Sequence, residues 1–376
     1  MDAKKLIATY RKRGARIETR ARVPLKTKKD FSLWYTPGVG AAARHLAEHP
    51  EDARAMSVKR NSVAVVSDGS AVLGLGDIGP YGALPVMEGK ALIFKTMAGI
   101  DAWPIVLSTR DSDEIVRAVK AFAPAFGGIN LEDIAAPKCF AVEERLAKEL
   151  DIPVMHDDQH GTAIVVLAGL LNAAKAVKKD FKKLKVDISG AGAAGTASAK
   201  LLLAAGIEDI ILLDRAGILY AGRARLNAHK KELAALTNPR RIRGGLAEAM
   251  AGADAFIGVS GKGLLASEHV ASMAPRAIVF ALANPEPEIM PEAARKAGAA
   301  VIATGRSDFP NQINNALVFP GVFRGALDKG VRAVTQEMKL RAARALAALV
   351  ARPSAGNVIP DLLDPRVVKA VARAIY

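Results

Sequence analysis

A chain of 376 residues that is 51% hydrophobic and 24% charged carries enough apolar matter for a large core and is expected to form two domains. Its single cysteine, Cys139, excludes an intrachain disulfide, and no apolar run of about 18 residues or cleavable signal pattern at Met1–Arg16 argues for a membrane span or for secretion. A net charge of +15 would suit nucleic acid, but the basic residues are scattered and aromatics reach only 5%, so the expectation is a solvated basic surface on a cytoplasmic protein, with neither nucleic acid nor membrane as a partner.

The N-terminal stretch is densely basic from Lys4 to Lys29 and then reads YTPGVG, with Tyr35 at its head. From about Ser62 to Ile152 the β-rich runs SVAVV, ALIF and WPIVL alternate with the helical patterns DSDEIVRAVKAF and CFAVEERLAKEL, which predicts parallel strands joined by crossover helices. Lys90 and Lys95 bracket ALIF, and five residues apart they would point to opposite faces of an extended strand.

Two acid pairs follow β-type segments: Glu132 and Asp133 in GGINLEDIAAP, and Asp157 and Asp158 in VMHDDQHGTA. That places them at the carboxyl ends of strands, where open α/β sheets hold ligands. Carboxylates crowded around one point repel unless a cation joins them, and an all-oxygen donor set suits Mg²⁺ or Mn²⁺. His156 and His160 have a helical i, i+4 spacing, but with no third His or thiol near them zinc is not expected. His160–Phe181 has a helical pattern whose apolar run is interrupted by Asn172 and Lys175, as in a buried helix between domains rather than a membrane span.

The β/α rhythm resumes after Lys185 with VDIS, IIL, AFIGV, AIVFAL and VIAT. KVDIS runs into Gly190, Gly192 and Gly195, with Ala193 and Ala194 between the last two, and a helical pattern follows at once. In that context the first glycine makes the tight turn, the second admits a pyrophosphate and the third allows close helix packing, with the anion on the helix N-terminus. DIILLD then ends at Asp214, placed to bond an adenosine ribose, which favours NAD; Arg215 beside it would suit the 2′-phosphate of NADP, so dual use stays open. The Ala-rich tail from Thr335 to Tyr376 reads as closing helices.

Taken in order, YTPGVG, SDGSAVLGLGDIGP, MEGKALIFKTMAGID, NLEDI, HDDQHGTA, GAGAAG, LANPEPEI and NNALVFPG resemble the malic enzymes in their short microbial form, over about Thr27 to Arg324. The resemblance implies an α/β substrate domain over 1–150 and a Rossmann-type, doubly wound parallel-sheet domain with C-terminal helices over 151–376. It implies oxidative decarboxylation of (S)-malate to pyruvate and CO2, with NAD⁺ or NADP⁺ reduced and a divalent metal acting as Lewis acid. Carried over residue by residue, Tyr35 is the general acid, Lys90 the general base and Asp157 the group that orients that lysine. Glu132, Asp133 and Asp158 are the metal ligands, while Asn284 and Asn315 hold malate's carboxylate and the cofactor side of the pocket, with Asn314 a neighbouring candidate. A lysine serving as base needs a pKa below the ordinary value of about 10.4, which burial and the metal would provide.

One departure stands out. Larger eukaryotic members carry a substrate-binding arginine two residues after D-G, where this chain has Ala71 in DGSA. The resemblance also implies a homodimer, and it raises the hypothesis that the segment bearing Tyr35 serves the partner's site. The rival expectations are a metal-dependent oxidative decarboxylase of another 2-hydroxy acid, and a non-catalytic dinucleotide-binding or nucleic-acid-binding protein.

Overall fold

Runs rich in valine, isoleucine and alanine form two mostly parallel sheets in this computed structural model, which describes residues 2–72 and 74–376; Leu73 of the SDGSAVLGLGDIGP stretch lies outside them. The first sheet joins β1 Ser62–Ser67, β2 Asp101–Val106, β3 Gly128–Leu131 and β4 Val154–His156 in the order β2-β1-β3-β4, all parallel. The second joins β5 Lys185–Ser189, β6 Asp209–Asp214, β7 Gly217–Ile218, β8 Ala255–Gly258, β9 Ala277–Ala281 and β10 Ala299–Thr304 in the order β10-β9-β8-β5-β6-β7, with only β7 antiparallel. From β5 the chain winds first toward β6 and later to β8 on the other side. The strand order therefore reverses beside β5, the place where doubly wound sheets bind ligands.

The helices preceding β1 are α1 Ala3–Arg13, α2 Lys28–Trp34, α3 Val39–Glu48 and α4 Ala53–Met56, and none of the four has a buried residue. Around the first sheet lie α5 Gly79–Ala98, α6 Ser112–Phe122 and α7 Lys138–Glu149. Then come α8 Asp157–Ala176, α9 Ala193–Ala204, α10 Ala228–Leu236, α11 Leu246–Met250, α12 Ser267–Ala271 and α13 Pro291–Lys296. The chain closes with α14 Phe319–Lys329, α15 Gln336–Ala348 and α16 Arg366–Arg373. No helix among the described residues is long and apolar enough to cross a membrane.

The expected ALIF strand is instead part of α5. Four apolar residues fit either period, and the wider pattern decides: Ala83, Met87, Lys90, Ala91 and Phe94 are the buried positions, a helical stripe. On a helix, Lys90 and Lys95 stand about 140° apart. Lys90 lies on the buried stripe, while Lys95 is exposed and pairs with Asp101 at 2.6 Å. The long helix expected over His160–Phe181 begins three residues earlier and stops at Ala176, so Asp157 and Asp158 occupy its first turn, where acidic side chains meet the positive end of the helix dipole.

One apolar cluster runs through both sheets, taking Val63 and Val65 from β1, Met87 and Phe94 from α5, Ile164 and Leu167 from α8, Ile188 from β5, and Phe319 and Phe323 from α14. Phe94 meets Phe319 and Phe323 edge-on, with centroids 4.7 and 5.5 Å away, so the C-terminal helices return to the first sheet. Buried Asn172 of α8 donates to the carbonyls of Ala347 at 2.8 Å and Val358 at 3.1 Å, tying the same helix to the chain's end.

Candidate active site

Where β3 and β4 end, α8 begins and the buried stripe of α5 arrives, five charged side chains meet. Lys90 Nζ lies 2.5 Å from Asp157 Oδ2 and 3.0 Å from Glu132 Oε1, and it stands 4.4 Å from the centroid of the Phe319 ring. Asp158 Oδ2 accepts the Asp133 backbone N–H at 2.8 Å. Asp133 takes a left-handed backbone, φ 53°, a conformation that non-glycine residues hold mainly where a site demands it.

Glu132, Asp133 and Asp158 each present a carboxylate oxygen, the three within 4.8 Å of one another. Four carboxylates around one ammonium leave a net negative charge in a largely buried place, which is costly unless a cation shares it. A donor set of oxygen alone fits Mg²⁺ or Mn²⁺. The histidines do not join it: His160 faces Glu143 and Lys339, and the buried ring of His156 approaches Asp158 only to 3.8 Å.

Burial opposes the charge on Lys90, but Asp157, Glu132 and Asp158 outweigh it, so these neighbours by themselves raise its pKa, and the lowering that a base needs rests on the metal as well as on burial. Glu132 is pushed well above the usual carboxylate range by burial, against the pull of Lys90, with Asp158 and Asp157 adding to the rise. These directions agree: the surrounding carboxylates favour the ammonium form of Lys90, and burial together with the neighbouring acids disfavours the charged form of Glu132.

Asn315 belongs to the same place. A Cβ built on Gly161 would fall 1.8 Å from Asp157 Oδ1 and 3.1 Å from Asn315 Cβ, so only glycine lets the three approach. Asn314, its neighbour, is occupied differently, its Oδ1 accepting the Ala316 N–H at 2.9 Å as a cap. Asn284 follows β9, and its backbone oxygen would lie 2.4 Å from a Cβ on Gly74, so the 69–79 loop of the first half reaches the second half there.

At Ala71 the backbone N–H donates to the Asp133 carbonyl at 3.0 Å, which sets the substituted position beside the acids. Arg110 and Lys138 both close on Asp68 in this loop, and Arg110 also pairs with Asp77 at 2.5 Å. Both cations are thus engaged by the loop itself.

The dinucleotide loop has the geometry its glycines predict. Gly190 has φ 118° and would bring a Cβ to 2.6 Å from the Val259 carbonyl, while a Cβ on Gly195 would fall 1.8 Å from the Gly190 oxygen. Gly192 faces open space and serves as N-cap of α9, which starts with Ala193 and Ala194. Asp214 ends β6 and is clamped by Arg223 at 2.5 Å and Lys230 at 2.6 Å. Burial works against its charge, but hydrogen bonds from Arg223, Lys230 and the Ala216 N–H hold its pKa at about 2. Arg215 is exposed beside it.

Tyr35 stands apart. It is 60% exposed at the end of α2, with its ring edge-on to Phe31 at 5.4 Å, and among the described residues nothing within the chain ties it to the Lys90 cluster.

Sequence reasoning missed two groups. Arg223 and Lys230 carry no local signal for pairing with Asp214. Glu143 had one, a charge on the apolar stripe of α7 alongside Cys139, Val142 and Leu146. It is buried and accepts from the His156 N–H, Gln159 and His160.

Comparison with known proteins identifies the family. Residues 14–147 match the family described as "Malic enzyme, N-terminal domain", and residues 159–376 match "Malic enzyme, NAD binding domain". The NAD-dependent malic enzyme of Geobacillus stearothermophilus is 56% identical over 364 residues, which are 96% of this chain and 76% of that protein. The bifunctional malic/malolactic enzyme of Bacillus subtilis is 54% identical over 96% of this chain and 88% of its own length. The crystal structure of the NAD-dependent malic enzyme of Thermotoga maritima superimposes with a TM-score of 0.95 at 48% identity, covering all of this chain and 98% of that one. With both halves matched and the acids, lysine and glycine loop in place, the chain belongs to the malic enzyme family.

Proposed function

We propose that this protein oxidatively decarboxylates (S)-malate to pyruvate and CO2 with reduction of NAD⁺ or NADP⁺. The observation that carries the reading is the buried Lys90, hydrogen-bonded to Asp157 and flanked by three further carboxylates at the head of α8. Lys90 Nζ, as the free amine, accepts the proton of the malate C2 hydroxyl, while Asp157 fixes the direction of that amine. Glu132, Asp133 and Asp158 would hold a divalent cation, which would supply Lewis acidity and offset the negative charge around Lys90, and the Gly190–Gly195 loop would hold the pyrophosphate of a dinucleotide whose nicotinamide would accept the hydride. Asn315, packed on Gly161, and Asn284, between the halves, orient the substrate and the nicotinamide side of the pocket. Tyr35 gives the C3 proton once CO2 has left.

The Tyr35 assignment carries with it a homodimer. Helices α1–α4 bury nothing, and more than half of the large exposed apolar side chains among the described residues, Phe31, Leu33, Trp34 and Tyr35 included, lie before residue 60. Exposed apolar side chains concentrated in one segment in this way are the kind of surface that an association face uses. A second copy covering it brings Tyr35 to the partner's Lys90 cluster. We place the boundary between the substrate and cofactor domains at 150/151, and the protein in the cytoplasm, where an unpaired buried Cys139 is at home.

Incubation with malate, Mn²⁺ and either NAD⁺ or NADP⁺ is expected to yield reduced cofactor and pyruvate together. Neither product with either cofactor sinks the reading, and turnover confined to longer or branched 2-hydroxy acids moves it to a sister activity. On cofactor choice, a carboxylate clamped by two cations repels a 2′-phosphate less than a free one, so both cofactors are expected to serve, with NAD⁺ favoured. Lys230→Ala removes one cation and unmasks Asp214. It is expected to raise KM for NADP⁺ roughly tenfold more than KM for NAD⁺, a differential of about 1.4 kcal/mol; equal changes would remove Lys230 from cofactor selection.

A further inference from the structure

The first turn of α8 carries Asp157 and Asp158, yet its N-cap, His156, gives it no side-chain cap. Helix starts leave backbone N–H groups without intrahelical partners and fray unless something holds them. The holder comes from another helix. Glu143 of α7 accepts the His156 backbone N–H at 2.8 Å, the Gln159 side-chain amide at 2.8 Å and His160 Nε2 at 3.1 Å. The first of these is the bond that the third residue of a capping box makes to its own N-cap, here made from a different helix. The three donors straddle the acid pair in sequence, one residue before it and one and two residues after.

Lys339 of α15 extends the arrangement, with Nζ 3.0 Å from His160 Nδ1. An ammonium only donates, so Nδ1 accepts and the Nε2–H is left to face Glu143. Helix α15 thus selects the histidine tautomer that Glu143 binds.

We propose that Glu143 is a positioning residue for the metal site, clamping the first turn of α8 from behind so that Asp157 is held on Lys90 and Asp158 on Asp133, with Lys339 locking the His160 tautomer the clamp needs. The role rests on the metal reading of Glu132, Asp133 and Asp158. Groups that orient metal ligands in this way typically change metal affinity about 10–100-fold when removed.

Glu143→Gln tests it, because glutamine keeps the size and an acceptor for the His156 N–H but turns a donor toward Gln159 and His160. Free Mn²⁺ is read by electron paramagnetic resonance over protein without malate, and NAD⁺ binding is measured beside it by calorimetry. The expected result is Mn²⁺ binding weaker by about tenfold with NAD⁺ affinity unchanged, and a smaller loss of the same kind in Lys339→Met. Parental Mn²⁺ affinity in a Glu143→Gln protein that still binds NAD⁺ overturns the proposal, even if its thermal midpoint falls. If Glu143→Gln no longer binds NAD⁺, Lys339→Met decides, and parental Mn²⁺ affinity there overturns it. Asp158→Asn isolates the underlying reading: a parent that binds no Mn²⁺, or an Asp158→Asn protein that binds it as well as the parent does, removes the metal site and the clamp together.

Discussion

Lys90→Ala is expected to lower kcat by about 10²–10⁴-fold, the range a general base contributes, while NAD⁺ affinity stays at the parental value. The split follows from geometry, since Lys90 sits among Asp157, Glu132 and Phe319 and the cofactor loop begins at Gly190 in the other sheet. Removing the ammonium also leaves buried carboxylates without their cation, a loss that costs buried ion pairs about 3–5 kcal/mol. The thermal midpoint is therefore expected to fall in metal-free buffer and to recover with Mn²⁺. Small primary amines added to Lys90→Ala should restore part of the turnover, because the cavity lies beside the same Asp157. Unchanged kinetics would remove Lys90 as the base, and a common loss of turnover and NAD⁺ binding would make it structural.

Tyr35→Phe carries the second large effect, again about 10²–10⁴-fold in kcat, confined to protonation of the enolpyruvate carbon. Normal enolisation of pyruvate by this variant would move the acid elsewhere. Mixing Tyr35→Phe and Lys90→Ala subunits tests where the tyrosine acts. If it serves the partner's cluster, each hybrid dimer assembles one site with both residues, and random pairing returns about a quarter of parental activity. If it folds back on its own chain, no hybrid site has both residues and mixing recovers nothing.

The parts of the site that were legible in the sequence are those in which chemistry dictates residue type and local order. Strand, Gly190-x-Gly192-x-x-Gly195, helix and Asp214 form one contiguous statement, and its turn geometry followed from the glycines alone. The acid pairs were legible for a similar reason, since each follows a short apolar strand. The failures were of period and of distance. ALIF was too short to separate one turn of helix from a strand, so Lys90 was placed on the wrong element although its burial was anticipated. The pairing of Lys339 with His160, 179 positions apart, and the clamp on Asp214 depend on the tertiary path of the chain, which no local pattern encodes. What the sequence did not reveal is the opposition that burial and a cation must overcome at Lys90, whose neighbours Asp157, Glu132 and Asp158 by themselves raise its pKa.

Helix α8 is buried along most of its length, with Ile164 and Leu167 in the shared apolar cluster, Gly169 against Ile313 and Phe280, and Asn172 bonded to the chain's last third. It works as an axle common to both sheets rather than as a linker between them. Bending this helix would disturb the apolar cluster that runs through both sheets, and away from it the two halves also meet at loops, where Gly74 lies against the Asn284 backbone. Of the carboxylates around Lys90, Asp157 and Asp158 therefore ride on the element that both cores share, while Glu132 and Asp133 reach them from the end of β3.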